Sequence, residues 1–219
     1  MFNLTGQLAL AAVILVITIF LVLLLPGGAR ANESAEQPLD DPAPAAAVVS
    51  DPRIEQVTDH IRSFLLTVCG KAQRQPCLDK VSRTRRWRRA PVLAGLIVEA
   101  ADEHEVDPLV VSEIARSECS YYEGRACRTG DLGEYGIGQL MPGGRAERAA
   151  RTAGYDLTTT RGQLRAIALT YADCYVECGD ELGALRRYQT GRCRASSAKG
   201  PQVRFKRLKR ARARLTLAD

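Results

Sequence analysis

Apolar residues recur at intervals of three and four along most of this chain after residue 53, and this periodicity constrains its fold more than any other feature. Such intervals place side chains on one face of an α-helix, whereas no segment alternates apolar and polar residues as a half-buried strand does. The sequence therefore predicts a mainly α-helical protein. The predicted helices span residues 53–68, 144–153, 160–176 and 182–188, with one that begins at Pro91 and another that begins at Asp107-Pro108.

The first 31 residues contain a long uncharged segment. Leu8 to Leu25 carry no charged side chain and precede Pro26, a length that suffices to cross a bilayer as a helix. Ala29-Arg30-Ala31 has the small-x-small form of a signal-peptidase site. Residues 1–31 are therefore predicted to be either a transmembrane anchor or a cleaved signal peptide. The protein is expected to be exported to the periplasm or cell envelope, membrane-anchored or secreted after cleavage.

Composition divides the remainder of the chain into four parts. Residues 32–52 are rich in Ala, Pro, Asp and Glu and lack apolar periodicity, which predicts a disordered spacer. Residues 53–90 are predicted to form a helical N-terminal extension, and residues 91–194 the main domain. Residues 195–219 form a basic tail.

The positive charge of the protein is concentrated in that tail. The chain has a net charge of +6, and the ten Lys and Arg residues from Arg192 to Arg214, with no acidic residue among them, leave −4 for the rest. Export argues against nucleic acid as a partner, whereas anionic wall polymers and phospholipid surfaces lie within reach. Apolar residues at helical spacing predict a short amphipathic helix that either rests on an anionic surface or packs against the domain. They are Phe205, Leu208, Ala211 and Leu215.

The cysteine content is typical of an exported, disulfide-containing protein. The seven candidates are Cys69, Cys77, Cys119, Cys127, Cys174, Cys178 and Cys193. The first and second, and likewise the third and fourth, are close enough in sequence to close short loops of similar size. Either Cys174 or Cys178 can then pair with Cys193, and one thiol is left over.

Neither a metal ion nor another cofactor is predicted. The chain has two histidines, His60 and His104, which lie away from the cysteine clusters. No CxxC spacing is present to prepare a tetrahedral thiolate site for zinc.

The segment from Ile114 to Pro142 carries the candidate chemistry. It places Glu118 at the end of a predicted helix, just before a glycine-rich turn. Glycines such as Gly133 and Gly136 let the backbone turn tightly where a bulky polymer can pass close by. A carboxyl group at the edge of a core suits a single catalytic acid. The alternative interpretation is a solvated glutamate in a last helical turn.

Three motifs in the predicted main domain resemble those of soluble lytic transglycosylases. They are SEC at Ser117 to Cys119, GIGQLMP at Gly136 to Pro142 and RYQTG at Arg187 to Gly191, where the family usually has ES, GLMQ-x-MP and AYNAG. The resemblance runs from Pro91 to Cys193 in order and spacing and includes LRAIALTY at Leu164 to Tyr171. It implies a lysozyme-like helical catalytic domain, related in fold to goose-type lysozymes. Such a domain cleaves the β-1,4 bond between N-acetylmuramic acid and N-acetylglucosamine in peptidoglycan.

The resemblance also implies roles for individual residues. Glu118 would protonate the glycosidic oxygen and then remove a proton from the muramic acid 6-hydroxyl, giving a 1,6-anhydro product without consuming water. Burial beside apolar groups favours the neutral acid that the first step needs. Gln139 and Gly138 match positions that hold sugar groups, and Tyr188 matches a tyrosine close to the catalytic carboxylate.

The chain departs from the family pattern at three places. Cys119 replaces the serine that follows the acid, and a bond to Cys127 would brace the turn that holds Glu118. Gly138 replaces the usual methionine, and Gln189-Thr190 replace Asn-Ala in the third motif. We expect the fold to tolerate all three changes, while the detailed substrate contacts differ.

Four further residues are secondary candidates. Tyr121 and Tyr122 can line a sugar cleft, or they can pack locally, as a tyrosine after a helix often does. Asp131 and Glu134 can supply a second acid that positions water, which would make the protein a hydrolase, or they can be solvated loop residues.

Three functions are therefore considered. The leading hypothesis is a peptidoglycan lytic transglycosylase, used in wall remodelling or as a local hole-maker for a secretion apparatus or phage. The second is a lysozyme-type hydrolase on the same fold. The third is an inactive glycan-binding module, against which the joint presence of Glu118, Gln139 and Tyr188 argues.

Overall fold

Helices account for nearly all the regular structure in the part of the chain that the computed structural model describes. The described residues are 51–70, 75–121, 132–194 and 198–215. They contain eight α-helices and one 3-10 helix, and the one strand-type pairing among them is an isolated antiparallel bridge between Tyr135 and Leu140. The predicted mainly α-helical fold is confirmed.

The helices begin where short polar side chains cap their first turns. Asp51, Thr84, Asp107, Thr159 and Asp180 each accept a hydrogen bond from a backbone N–H of the helix that follows. The helices are α1 (Pro52–Leu65), α2 (Gln75–Ser82), α3 (Arg85–Glu103), α4 (Pro108–Cys119), α5 (Arg145–Thr152), α6 (Thr160–Cys178), α7 (Glu181–Thr190) and α8 (Lys199–Leu215), and a 3-10 helix over Leu66–Cys69 follows α1.

The predicted N-terminal anchor or signal segment, and all but the last two residues of the predicted spacer, lie outside the described residues. Within the described ranges, no helix is both long enough and apolar enough to cross a membrane.

One apolar core joins the N-terminal extension, the main domain and the tail. It contains Val57 and Ile61 from α1, Ile97 from α3, Ile114 from α4 and Leu208 from α8, all of them fully buried. Helix α1 packs against α3 and α4, and α8 packs against α4 and α7. The extension and the tail are thus built into the same core as residues 91–194.

Helix α3 begins at Arg85 rather than at Pro91, which lies inside the helix. A proline in a helix interior loses one backbone hydrogen bond and costs about 3 kcal/mol or more. The helix continues through it because Thr84 caps the earlier start, and because Ala90, Leu93 and Ala94 are buried along the face that meets the core. Helix α2 was not predicted from the periodicity.

The tail forms a longer helix than the apolar spacing predicts, and this helix packs against the domain. Leu208 is fully buried, and Phe205 and Ala211 contact the core. The Arg212 guanidinium bridges Asp107 at 2.7 Å and Glu181 at 2.7 and 2.9 Å. Of the two alternatives for the apolar face of the tail, packing against the domain is the one observed.

Two disulfides lie wholly within the described residues. The predicted Cys69–Cys77 bond is present. The second joins Cys178 to Cys193. Of the two cysteines that were candidates to pair with Cys193, Cys174 is therefore the free one, and it is buried. Cys119 is also disulfide-bonded, and its expected partner Cys127 lies outside the described residues.

Candidate functional site

The second motif forms a tight turn in the long connection between α4 and α5. Tyr135 and Leu140 exchange two backbone hydrogen bonds of 3.1 and 2.9 Å, and the N–H of Gln139 donates to the carbonyl oxygen of Gly136 at 3.1 Å. Gly136 has a φ of 73° and Gln139 a φ of 46°, a left-handed conformation that is easy for glycine and uncommon for glutamine.

A buried glutamine on α6 fixes this turn. The side-chain oxygen of Gln163 accepts a hydrogen bond from the N–H of Ile137 at 2.8 Å, and its amide nitrogen donates to the carbonyl oxygen of Leu157 at 2.9 Å. A Cβ atom at Gly136 would lie 2.2 Å from that side-chain oxygen. Glycine is therefore required here both by the positive φ and by the close approach of Gln163.

Gly138 lies directly against α6. A Cβ atom at this position would lie 2.9 Å from Cγ1 of Ile167, which is fully buried. The glycine at this position thus has a packing reason, because the turn approaches the helix too closely for a side chain.

Residues from all three motifs line one cavity of about 690 Å³. Glu118 comes from the end of α4, Glu134, Gly138 and Gln139 from the connection that contains the turn, and Tyr188 from α7. A volume of this size is within the range of sites that hold small organic ligands. The structure therefore brings together residues that are far apart in the sequence.

Glu118 is partly buried and ion-paired. Its side chain is 20% exposed, and its Oε1 atom accepts a hydrogen bond from Nη2 of Arg204 at 2.7 Å. Arg204 belongs to α8 and is itself buried. Glu118 is thus held by a charged partner from the C-terminal helix, a contact that the sequence analysis did not anticipate.

Tyr188 is a neutral hydrogen-bonding group beside Glu118. Burial raises the pKa of its phenol well above the usual value, and the negative charge of Glu118 raises it further, while the Arg204 guanidinium acts in the opposite direction. The phenol keeps its proton throughout the physiological pH range. It can therefore donate a hydrogen bond to an acceptor oxygen.

A second glutamate on α4, Glu113, does not line the cavity. It is completely buried and accepts hydrogen bonds from Arg116, with its Oε2 atom 2.6 Å from Nε of the guanidinium. His60 lies 3.6 Å away and Arg207 3.5 Å away. Burial alone would raise the pKa of Glu113, but the contacts with His60 and Arg116 lower it overall.

The cluster of Glu113 with Arg116, His60 and Arg207 was not predicted from the sequence, although the position of Glu113 gave an indication of it. Glu113 interrupts the apolar run from Leu109 to Ala115, where a charged side chain has to find internal partners.

The remaining predicted site residues lie in different places. Tyr121 lies in the core, with its hydroxyl 3.0 Å from Oγ of Ser112 and its ring edge-on to Phe64, so it packs locally and does not line the cavity. Glu134 lines the cavity and accepts a hydrogen bond from the N–H of Leu132 at 3.1 Å. Tyr122 and Asp131 lie outside the described residues.

The cavity is also lined by residues that were not predicted to belong to the site. Arg145 and Arg187 line its wall, and both form ion pairs with Glu177. Cys174 lines it as well, and burial raises the pKa of its thiol to about 11. These residues come from different helices, so no local spacing in the sequence brings them together.

The chain matches no protein-family model, no curated protein and no solved structure. In the part of the chain that is described, no group of three or more His, Cys, Asp and Glu residues is arranged to hold a metal ion. Over the ranges that the structure describes, the fold and the site define a mainly α-helical, disulfide-containing protein with a cavity that is lined by both glutamate and arginine side chains.

Proposed function

We propose that this protein is a peptidoglycan lytic transglycosylase with a lysozyme-like catalytic domain and Glu118 as its acid and base. The single observation that carries the proposal is that Glu118, Gln139 and Tyr188 line one cavity. These residues belong to three motifs that are widely separated in the sequence. The substrate is the glycan strand of the bacterial wall.

In the proposed reaction, the carboxylic acid of Glu118 gives its proton to the glycosidic oxygen as the bond from C1 of muramic acid to that oxygen breaks. The 6-hydroxyl of the same sugar then forms a bond to C1 and returns its proton to Glu118. No water enters, and the enzyme regains its starting protonation state. Tyr188, as a neutral phenol, and the amide of Gln139 supply hydrogen bonds to sugar oxygens.

Mass spectrometry of the products tests this proposal. Purified wall sacculi are digested with the oxidised full-length protein and with Glu118→Gln, which preserves the shape of the side chain but removes the acid. Products that end in 1,6-anhydromuramic acid, reduced about 100-fold or more in the variant, would support it. Products with free reducing ends would identify a hydrolase.

A lysozyme-type hydrolase is the second candidate, because Glu134 lines the same cavity as Glu118. Hydrolysis needs a second carboxylate that positions water or stabilises the oxocarbenium ion. Glu134→Gln separates the two functions, since it would abolish hydrolysis and leave a single-carboxylate transglycosylase active. If the protein is an inactive glycan-binding module, both the wild type and Glu134→Gln would bind sacculi and neither would release a product.

We also propose that the protein is exported and acts at the cell envelope. The uncharged run from Leu8 to Leu25 supports this location, and so do the two disulfides, because such bonds persist in oxidising compartments. Cell fractionation followed by carbonate extraction would distinguish a retained anchor from a cleaved signal peptide.

A further inference from the structure

Two arginines from different helices lie side by side in the wall of the cavity. Arg145 is the first residue of α5 and Arg187 belongs to α7, and both line the cavity. The carboxylate of Glu177 on α6 joins them, because its Oε1 atom pairs with Arg145 and its Oε2 atom with Arg187. The two guanidinium groups contact the same carboxylate, so they are held close together.

This pair of arginines presents positive charge to the cavity. Two guanidinium groups share Glu177, and the second acidic neighbour, Asp173, has its Oδ2 atom 3.8 Å from Nη2 of Arg145. The side chain of Asp173 is 43% exposed, so water weakens this longer contact. Neither acid lines the cavity, whereas both arginines do. A ligand in the cavity therefore meets the guanidinium groups and not their acidic partners.

Both arginines have hydrogen-bonding capacity that remains available to a ligand. A guanidinium group has five N–H donors. Arg145 uses its Nη2 atom for Glu177, and among the described residues none accepts a hydrogen bond from its Nε or Nη1 atom. Its side chain is 51% exposed, and that of Arg187 is 25% exposed. An anionic group can thus bind here while the ion pairs with Glu177 stay intact.

We propose that Arg145 and Arg187 form a carboxylate-binding subsite that recognises a negatively charged substituent on muramic acid. The inference rests on the proposed function. Muramic acid carries a lactyl group, which ends either in its own carboxylate or in an amide-linked stem peptide with carboxylates of its own. N-acetylglucosamine has no charged group. Guanidinium and carboxylate groups match in charge and in planar geometry, so the subsite selects muramic acid over N-acetylglucosamine.

Ligand-observed NMR titrations of the full-length protein test this inference with three disaccharides. The first is N-acetylglucosaminyl-N-acetylmuramic acid with its stem peptide, and the second is the same disaccharide with a free lactyl carboxylate. The third is di-N-acetylchitobiose, which is uncharged. None contains the bond from C1 of muramic acid to a following sugar, so the proposed reaction does not consume them and each titration gives a Kd.

We expect the wild type to bind at least one of the charged disaccharides about tenfold more tightly than the uncharged one. Arg187→Gln and Arg145→Gln should each weaken binding of the charged ligand and leave the Kd of di-N-acetylchitobiose unchanged. Arg165→Gln is the matched control, because it removes an ion-paired arginine that is 34% exposed and does not line the cavity. It should keep the full preference.

The second and first disaccharides identify the source of the carboxylate. Tight binding of both would assign the lactyl group or its immediate surroundings, and tight binding of the first alone would assign the stem peptide. Equal Kd values for all three ligands in the wild type would overturn the inference, and so would the absence of binding by all three. A preference that persists in both arginine variants would overturn it as well. Because Arg145 is half exposed, Arg145→Gln also provides the test if Arg187→Gln folds poorly.

Digestion of sacculi separates this inference from the proposed function. A preference for charged disaccharides that depends on both arginines, without any 1,6-anhydro products from sacculi, would mean that the proposed function fails and the carboxylate subsite remains. If 1,6-anhydro products form and the wild type shows no such preference, the inference alone fails.

Discussion

Two glutamates five positions apart on one helix illustrate how burial decides the role of a side chain. Glu113 is fully enclosed and has its charge matched by Arg116, with His60 and Arg207 nearby. Glu118 lies one turn and a half further on, at the wall of the cavity, with a single described ion-pair partner. The first is suited to hold the fold, and the second to meet a ligand.

Glu113→Gln should destabilise the protein by about 3–5 kcal/mol, because it leaves the Arg116 guanidinium, which is only 11% exposed, without its counter-charge. Urea unfolding monitored by circular dichroism measures this loss. Glu99→Gln is the control and should cost clearly less, since the side chains of Glu99 and of its ion-pair partners Arg161 and Arg165 are each about one third or more exposed.

The pH dependence of the same variant gives an independent check. The folded-state pKa of Glu113 is lowered from its usual value of 4.5, so its stabilising contribution is fully present above pH 4.5 and is lost as the pH falls through the lowered value. Glu113→Gln should therefore show a shallower loss of stability in acid. If the stability of Glu113→Gln falls in acid as steeply as that of the wild type, ionised Glu113 does not make this stabilising contribution.

Cys174 should be an unreactive thiol in the folded protein. It is buried, and burial raises its pKa to about 11, so little thiolate is present near pH 8. Iodoacetamide at pH 8 should label it slowly in the native protein and rapidly in urea without reductant, as peptide mass mapping would reveal. Fast native labelling at Cys174 would show that the cavity opens to solvent at this point.

At the scale of elements, the turn between Gly136 and Gln139 depends on its contact with α6. Gly138→Ala should destabilise the protein by about 1–3 kcal/mol, because the added methyl group would overlap Ile167. Gly95→Ala is the control: a Cβ atom at Gly95 on α3 meets nothing within 4 Å, and the change should stabilise by about 0.5–1 kcal/mol. Differential scanning calorimetry measures both.

The outer face of α8 should bind anionic surfaces by charge alone. Its exposed side chains include Lys206, Lys209 and Arg210, while its apolar face is occupied by the core. Sedimentation with anionic vesicles should therefore detect binding that weakens strongly as salt is raised. Replacing the three residues by glutamine should abolish it. Binding that resists high salt would instead indicate apolar insertion.

At the scale of the whole molecule, the tail and the domain should unfold together. Leu208→Ala removes a fully buried side chain from α8 and should cost about 2–5 kcal/mol. Trp87, the single tryptophan, lies on α3 and contacts the core, so its fluorescence reports on a distant helix. We expect the unfolding transition seen by tryptophan fluorescence to shift together with the one seen by circular dichroism of the helices. A shift of the circular dichroism transition alone would show that α8 unfolds independently.

The amino-acid sequence alone predicted most helices, the Cys69–Cys77 bond and the candidate residues Glu118, Gln139 and Tyr188. Apolar periodicity and short loops are local properties, and they determine helix faces and nearby cysteine pairs directly. The errors of the prediction from sequence were also local. At Pro91, where a helix was predicted to begin, burial of the surrounding helix outweighs the free-energy penalty for a proline in the helix interior.

Only the tertiary structure decided how these pieces meet. It selected Cys178 as the partner of Cys193, enclosed Tyr121 in the core and placed Arg204 against Glu118. Each of these outcomes depends on how helices that are distant in sequence pack around a common core. No local pattern encodes such contacts, because their free energy arises from burial and charge pairing between separate elements.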